Sequence, residues 1–345
     1  MNRLLLILVL LASSLPLFAL ESEECHRPPT QELAEHKEAL VPQEFLHEPF
    51  HWEIVDLAAL AGLLLAAGLL SIRHKQKWIF TALSITGLVY FGLFRGGCIC
   101  PVGATTNFFM GLAAPEMVGK TVAVLFLMPL VAAFFFGRVF CTSVCPLGAI
   151  QHLIGRKKGN CLIPRRINQI LRLIPILLLV ATAWGALRSG IFLACKVDVY
   201  KPIFFTGHAW FSQLSDLIDG SLTEPRLILV GDLVMWLTLA AVLAFGILVP
   251  RPFCRFVCPY GVLLGFFSKI GLRRRQIDSE SCFTCIQCTK TCPVQAITAV
   301  GKNQAVKVDD FHCIQCGRCD GTCTGNALVS PTPFPGTHIP NIGKN

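Results

Sequence analysis

The chain has 345 residues, is 53% hydrophobic and only 15% charged, and carries a formal net charge of +9 with a mean hydropathy of +0.60. That is too apolar for an ordinary soluble protein and calls for several membrane segments. Most of the 17 cysteines sit in tight CxxC and CxxxC runs, metal-ligand spacings rather than those of a short secreted disulfide scaffold. The positive charge falls in short blocks beside apolar segments, which is membrane topology rather than nucleic-acid binding.

Residues 1–20 read as a signal peptide or an uncleaved signal anchor, with an early arginine before LLLILVLLASSLPLFAL. An acidic tail follows over 21–53, with nine acidic residues against Arg27 and Lys37. Five apolar segments are expected as spans at about 54–72, 78–94, 120–137, 170–187 and 228–250. Several are short for a span, and each is extended at an end or stops where a cofactor loop is buried.

The connecting loops alternate in charge. RHKQK at 73–77 is basic, and 138–172 holds seven Lys and Arg with no acid. Arg251, Arg255, Lys269 and the RRR run at 273–275 follow the last span. The positive-inside rule then sets the acidic tail outside and the C-terminus in the cytoplasm of a bacterial inner membrane.

Three stretches share an arginine three residues before a cysteine, then Cys-Pro-x-Gly: RGGCICPVGA from Arg95, RVFCTSVCPLGA from Arg138 and RPFCRFVCPYGV from Arg251. The second and third carry Cys141/Cys145 and Cys254/Cys258 at i, i+4, which on a helix end brings both sulfurs to one face. Pro146 and Pro259 suit the first position of a new helix, and Gly148 and Gly261 permit close backbone approach. These four thiolates either complete one inner-face metal site or hold two sites with help from other groups. The first stretch is two residues shorter and falls on the outer face. There Cys98, Cys100 and Cys195 form a candidate outer-face metal site. The alternatives are a Cys195–Cys25 disulfide or inert buried thiols. A Cys98–Cys100 bridge would be badly strained.

After a membrane domain at 54–275 comes Cys282-x2-Cys285-x2-Cys288-x3-Cys292-Pro293, repeated as Cys313-x2-Cys316-x2-Cys319-x3-Cys323. In this arrangement three close thiolates hold one cubane and the distant fourth cysteine ligates the other. One cluster takes Cys282, Cys285, Cys288 and Cys323. The other takes Cys313, Cys316, Cys319 and Cys292. Residues 276–330 resemble a bacterial two-cluster ferredoxin, an α+β domain with short helices after Cys292 and Cys323 and a hairpin near 297–309. Thr324 stands where that pattern has proline. Residues 331–345, with PTPFP, read as a tail.

Spans with FCxxxCP motifs followed by a two-cluster ferredoxin resemble the polyferredoxin-like membrane proteins of the NapH/NosR type. The resemblance implies two [4Fe–4S] clusters, and further iron–sulfur sites are open at the CxxxCP and CxCP motifs. It also implies electron transfer between a quinone pool or cytoplasmic donor and a periplasmic oxidoreductase or electron carrier. The tail is too short for the flavin-binding extracytoplasmic domain of the nitrous-oxide type. No CxxCH, Walker loop or nucleotide fingerprint occurs, so neither covalent haem nor nucleotide is implied. The chain reads as an electron-transfer component rather than a stand-alone enzyme. A metallocentre assembly factor that reduces a metal or thiol, and a redox-sensing regulatory membrane protein, are the competing readings.

Overall fold

The computed structural model describes residues 50–73, 77–96, 99–113, 120–155, 163–188, 198–210, 213, 233–278, 281–299, 306–323, 325 and 327–329. The signal segment, nearly all of the acidic tail, the C-terminal tail, Thr324 and the cysteines Cys25, Cys98, Cys161 and Cys195 lie outside them.

The described residues are mostly helical. The long helices are α1 (Phe50–Arg73), α2 (Lys77–Gly87), which continues as a π-helical stretch Leu88–Phe94, α3 (Pro101–Ala113) and α4 (Lys120–Phe136). Short α5 (Phe140–Ser143) and α6 (Pro146–Ile154) follow, then α7 (Arg165–Leu171) and α8 (Ile174–Arg188). A π-helical turn Lys201–Phe205 precedes α9 (Leu233–Leu248), α10 (Pro252–Phe256) and α11 (Pro259–Ile270). Two helical stretches are long and apolar enough to cross a membrane, Trp52–Ser71 and Arg165–Arg188. Trp78–Phe94, Thr121–Phe136 and Leu233–Leu248 are apolar but shorter. Among the described residues all five expected segments are therefore largely helical, and two have spanning length. The segment expected at 170–187 is interrupted by a turn at Arg172 and Leu173, just ahead of Pro175, which cannot donate an N–H to continue the preceding helix.

The chain divides into two compact units. One comprises 1–58, 89–126 and 176–245. Its core holds Phe91, Tyr200, Phe204 and Met235, all essentially buried, with Phe108 stacked on Phe126 at 4.3 Å. On α8 and α9 the uncovered face carries Leu177, Val180, Trp184 and Leu237, apolar where a water-facing helix is polar.

The other unit comprises 59–88, 127–175 and 246–345. Its core is built from Leu60, Leu64, Val139, Val144, Leu147, Phe253 and Leu264. It also contains the cysteine-rich C-terminal module, where β2 (Ile297–Ala299) pairs antiparallel with β3 (Val306–Val308). That is the expected hairpin. In the same module β1 (Gln276–Ile277) pairs antiparallel with β4 (Leu328–Val329).

One expectation is corrected here. The short helix of the first repeat, α12 (Gln287–Thr291), precedes Cys292 rather than following it. Pro293 is the cause, because a residue before proline is driven from helical to extended backbone. Cys292 accordingly has φ −68° and ψ 115°. The described residues after Cys323 form the short strand β4 rather than a helix.

Candidate metal centres

The two CxxxCP motifs have the same local build. Cys145 and Cys258 are N-caps with extended backbone, and Pro146 and Pro259 open α6 and α11. Proline suits that first position because its missing N–H would have no partner there. The two cysteines of each motif thus straddle a helix break, with Cys141 and Cys254 on the short helix before it and Cys145 and Cys258 capping the next. A Cβ on Gly148 would lie 2.6 Å from the Cys141 carbonyl oxygen, and one on Gly261 would lie 3.3 Å from that of Cys254. In both motifs, then, the glycine lets the new helix close against the first cysteine.

The four thiols of these motifs act on one another. Burial, then Cys254 and Cys141, pushes the Cys145 thiol well up. Burial, then Cys254, Cys141 and Cys145, does the same to Cys258. Such a set repels itself once ionised, and a bound cationic centre is what would hold it as thiolate. Around it stand the motif arginines. Arg251 donates to the Cys141 carbonyl, and Arg138 donates to the Phe311 carbonyl at 3.0 Å. Both are nearly fully buried.

In the C-terminal module the cysteines fall into two crossed groups. Burial and then Cys323, Cys285 and Cys282 raise the Cys288 thiol, apart from a small opposing bond to Thr289. The second group, Cys292, Cys313, Cys316 and Cys319, lines a single cavity together with Arg275. Burial pushes the Cys313 thiol up to about 12, with Arg275 opposing and Cys292 and Cys316 adding to it.

The two loops also share a backbone signature. Thr284 (φ 49°) and Gln315 (φ 53°) precede the second cysteine of each repeat, and Ile286 (φ 53°) and Gly317 (φ 67°) follow it. Left-handed backbone is costly for threonine, glutamine and above all β-branched isoleucine. Repetition of the same conformation in both loops fits a chain wrapped around a fixed centre.

Among the described residues no three Cys, His, Asp or Glu side chains converge closely enough to hold a single ion. A cubane asks for a looser set, since its four cysteine sulfurs sit on four separate irons. The all-thiol composition of the two groups is the donor chemistry of an iron–sulfur cluster.

Residues 118–168 and 232–278 match a 4Fe-4S binding domain, and residues 274–324 match a 4Fe-4S dicluster domain. These matches make the chain similar to iron–sulfur electron-transport proteins of the NapH type. The ferredoxin-type protein NapH of Escherichia coli is 26% identical over 56% of this chain and 62% of its own length. Two uncharacterized proteins of Methanocaldococcus jannaschii are also similar. One is 26% identical over 59% of this chain and 68% of its own length, and the other 25% over 70% and 89%. No solved structure matches the chain.

The third motif is built differently. Cys98 and Cys195 lie outside the described residues, so only Cys100 is placed. Its Sγ accepts the Gly103 N–H at 3.3 Å and donates to Asp198 Oδ2 at 3.4 Å. Burial and then Asp198 raise the Cys100 thiol, and burial raises the Asp198 carboxyl to about 6. Arg95 Nη2 bonds Asp56 Oδ2 at 2.7 Å, its Nε also donates to that carboxylate, and Tyr90 adds a hydroxyl at 3.0 Å. Sequence reasoning missed Asp198, which comes 98 residues after Cys100, and no spacing signal pointed to it.

Proposed function

We propose that the chain is a membrane-bound carrier that passes electrons between a quinone pool or cytoplasmic donor and a periplasmic redox partner. Cys282, Cys285, Cys288 and Cys323 would hold one [4Fe–4S] cluster, and Cys313, Cys316, Cys319 and Cys292 a second. Cys141, Cys145, Cys254 and Cys258 would hold a further iron–sulfur site at the inner face. When bound, each cluster supplies one-electron exchange at a potential set by burial, charge and hydrogen bonds.

The observation that carries this reading is how tightly the CxxxCP motifs grip the second ferredoxin group. Thr142, inside the first motif, bonds the carbonyl of Ile314, the residue after Cys313. Arg255, inside the other motif, donates to the Pro293 carbonyl at 3.4 Å and to the Gln295 amide oxygen at 2.8 Å, both beyond Cys292. Arg172 adds bonds of 3.0 Å to the Val294 and Gln295 carbonyls. These contacts hold the second thiol group against the CxxxCP set. The first group is more open: Cys285 is exposed between Phe283 and Ile286, themselves exposed, where a soluble donor can reach it.

An outer-face site at Cys98, Cys100 and Cys195 would complete the route to a periplasmic acceptor. The buried carboxylate of Asp198 beside Cys100 adds a further group with metal-ligand chemistry there. In this reading the acidic tail lies outside and the ferredoxin module lies in the cytoplasm.

The test is EPR during a quinol titration of membranes containing the protein. Cluster signals that develop with added quinol support the quinone-linked version. Signals that never respond to quinol, yet respond to a soluble cytoplasmic reductant, leave only the cytoplasmic-donor version.

A further inference from the structure

A cavity of about 150 Å³ opens beside Cys316, between α2, α6 and the Pro293 and Ile314 loops. Gln151 lines it and is only 3% exposed, yet neither its amide nitrogen nor its amide oxygen has a hydrogen-bond partner. A buried, unsatisfied amide is destabilising by itself, and its presence in a cavity points to a ligand that completes it. Next to it, His152 Nδ1 faces Arg318 Nη2 at 3.2 Å. A guanidinium only donates, so Nδ1 accepts and the neutral ring carries its proton on Nε2.

The lining contains no aspartate or glutamate among the described residues, and it includes Arg251 and Thr81. Its chemistry therefore favours a ligand that presents acceptor oxygens. Phe80, Pro250, Pro293 and Ile314 supply apolar walls, which suit a planar organic ring better than a hydrated anion. Phe80 and Thr81 belong to the apolar helix Trp78–Phe94, so one wall comes from a segment suited to lipid.

We propose that this cavity takes the headgroup of a membrane quinone, an inference that rests on the quinone-linked reading above. The Gln151 amide suits both redox forms of such a ligand. Its N–H donates to the carbonyl of the quinone, and its oxygen accepts the hydroxyl of the quinol. Gln151 and His152 are binding residues here, and Cys316 borders the site as a candidate cluster ligand.

The experiment uses the full-length protein in detergent, with decylubiquinone and a short-chain menaquinone as probes, and measures bound quinone by equilibrium dialysis. Gln151→Leu keeps the side-chain size and removes both amide partners, so the Kd should rise at least tenfold with iron content unchanged. Thr81→Trp fills the cavity and should abolish binding. Iron content reports whether each variant has folded, and if Thr81→Trp loses iron the Gln151→Leu result decides alone. Wild-type affinity in Gln151→Leu overturns this site and leaves the quinone-linked reading standing. Failure of the wild type to bind either probe, together with clusters silent in the quinol titration, overturns both.

Discussion

The hydroxyl of Thr142 donates to the main-chain carbonyl of Ile314 at 2.5 Å, across 172 residues of sequence. Thr142 lies between Cys141 and Cys145, and Ile314 directly follows Cys313, so the bond ties two cysteine-bearing loops together in the buried interior of one unit. Such a bond contributes about 1 kcal/mol, and loss of one partner leaves a buried acceptor unmet. Thr142→Val keeps the branched shape and removes the donor. The expected outcome is unchanged iron at low temperature, faster loss of iron on warming, and weaker spin–spin interaction between the two neighbouring sites by EPR. Identical thermal iron loss and identical spectra would show that the bond is dispensable.

The crossed grouping of the ferredoxin cysteines separates two otherwise similar variants. Cys288 feels Cys323 more strongly than it feels Cys285 or Cys282, while Cys292 feels Cys316 after its own burial. Cys323→Ser should therefore remove the more exposed cluster and spare the enclosed one. Cys292→Ser should do the reverse. Iron analysis with EPR of the remaining cluster reads the result. Loss of the same cluster in both variants would contradict the crossing.

Chain spacing alone suggests the cysteine grouping, since CxxCxxCxxxC leaves few ways to wrap a cubane, and the structure gathers Cys292, Cys313, Cys316 and Cys319 around one cavity. Pro146 and Pro259 were legible as helix starts for an equally local reason. The helix around Cys292 was displaced because Pro293 governs the residue before it, a constraint stronger than the general pattern. Asp198 beside Cys100, and the grip of Arg172 and Arg255 on the Cys292 loop, could not be read at all. They depend on contacts between residues 38 to 123 apart in sequence, which no local period reports. The left-handed Ile286 runs against its own β-branched preference, so propensity gave the opposite answer there.

Arg275 is a buried cation beside the second thiol group. It is 4% exposed, donates to Gln315 Oε1 at 3.0 Å, pairs with Asp320, and lies 3.7 Å from Cys319 Sγ. A fixed positive charge favours the reduced, more negative state of a neighbouring centre. Arg275→Gln should lower that midpoint potential by on the order of 50–100 mV, from a Coulomb term of roughly 2 kcal/mol at an effective dielectric near 20. Arg275→Lys should recover much of the shift if charge is the cause. A potentiometric EPR titration distinguishes this from a structural defect, which would broaden the signal in both variants.

In the other unit, Asp56 and Arg95 form a paired, enclosed bridge with the Arg95 guanidinium 5.6 Å from the Trp52 ring centroid. Breaking such a pair strands the remaining charge and costs about 3–5 kcal/mol, whereas removing both partners costs less. Asp56→Asn should lower the yield of folded protein sharply. The double variant Asp56→Asn/Arg95→Gln should recover part of it. A double-mutant cycle on thermal stability checks the coupling, and strictly additive effects would show that the bridge is solvated and weak.

Iron retention should depend on pH in a fixed direction. Burial and neighbouring thiols raise Cys145 and Cys258, and burial raises Cys313 to about 12, so without iron these groups are protonated at neutral pH. Metal binding must displace those protons, and acid therefore competes with iron while alkali favours it. The sign follows from the raised values: the apo form is favoured as pH falls and loses ground as pH rises towards them. Protein incubated anaerobically with a chelator should lose iron faster at pH 6 than at pH 8, and reconstitution with iron and sulfide should run further at the higher pH. A flat profile over that range would mean that the thiols are already ionised before iron arrives, held so by Arg138, Arg251 and Arg275.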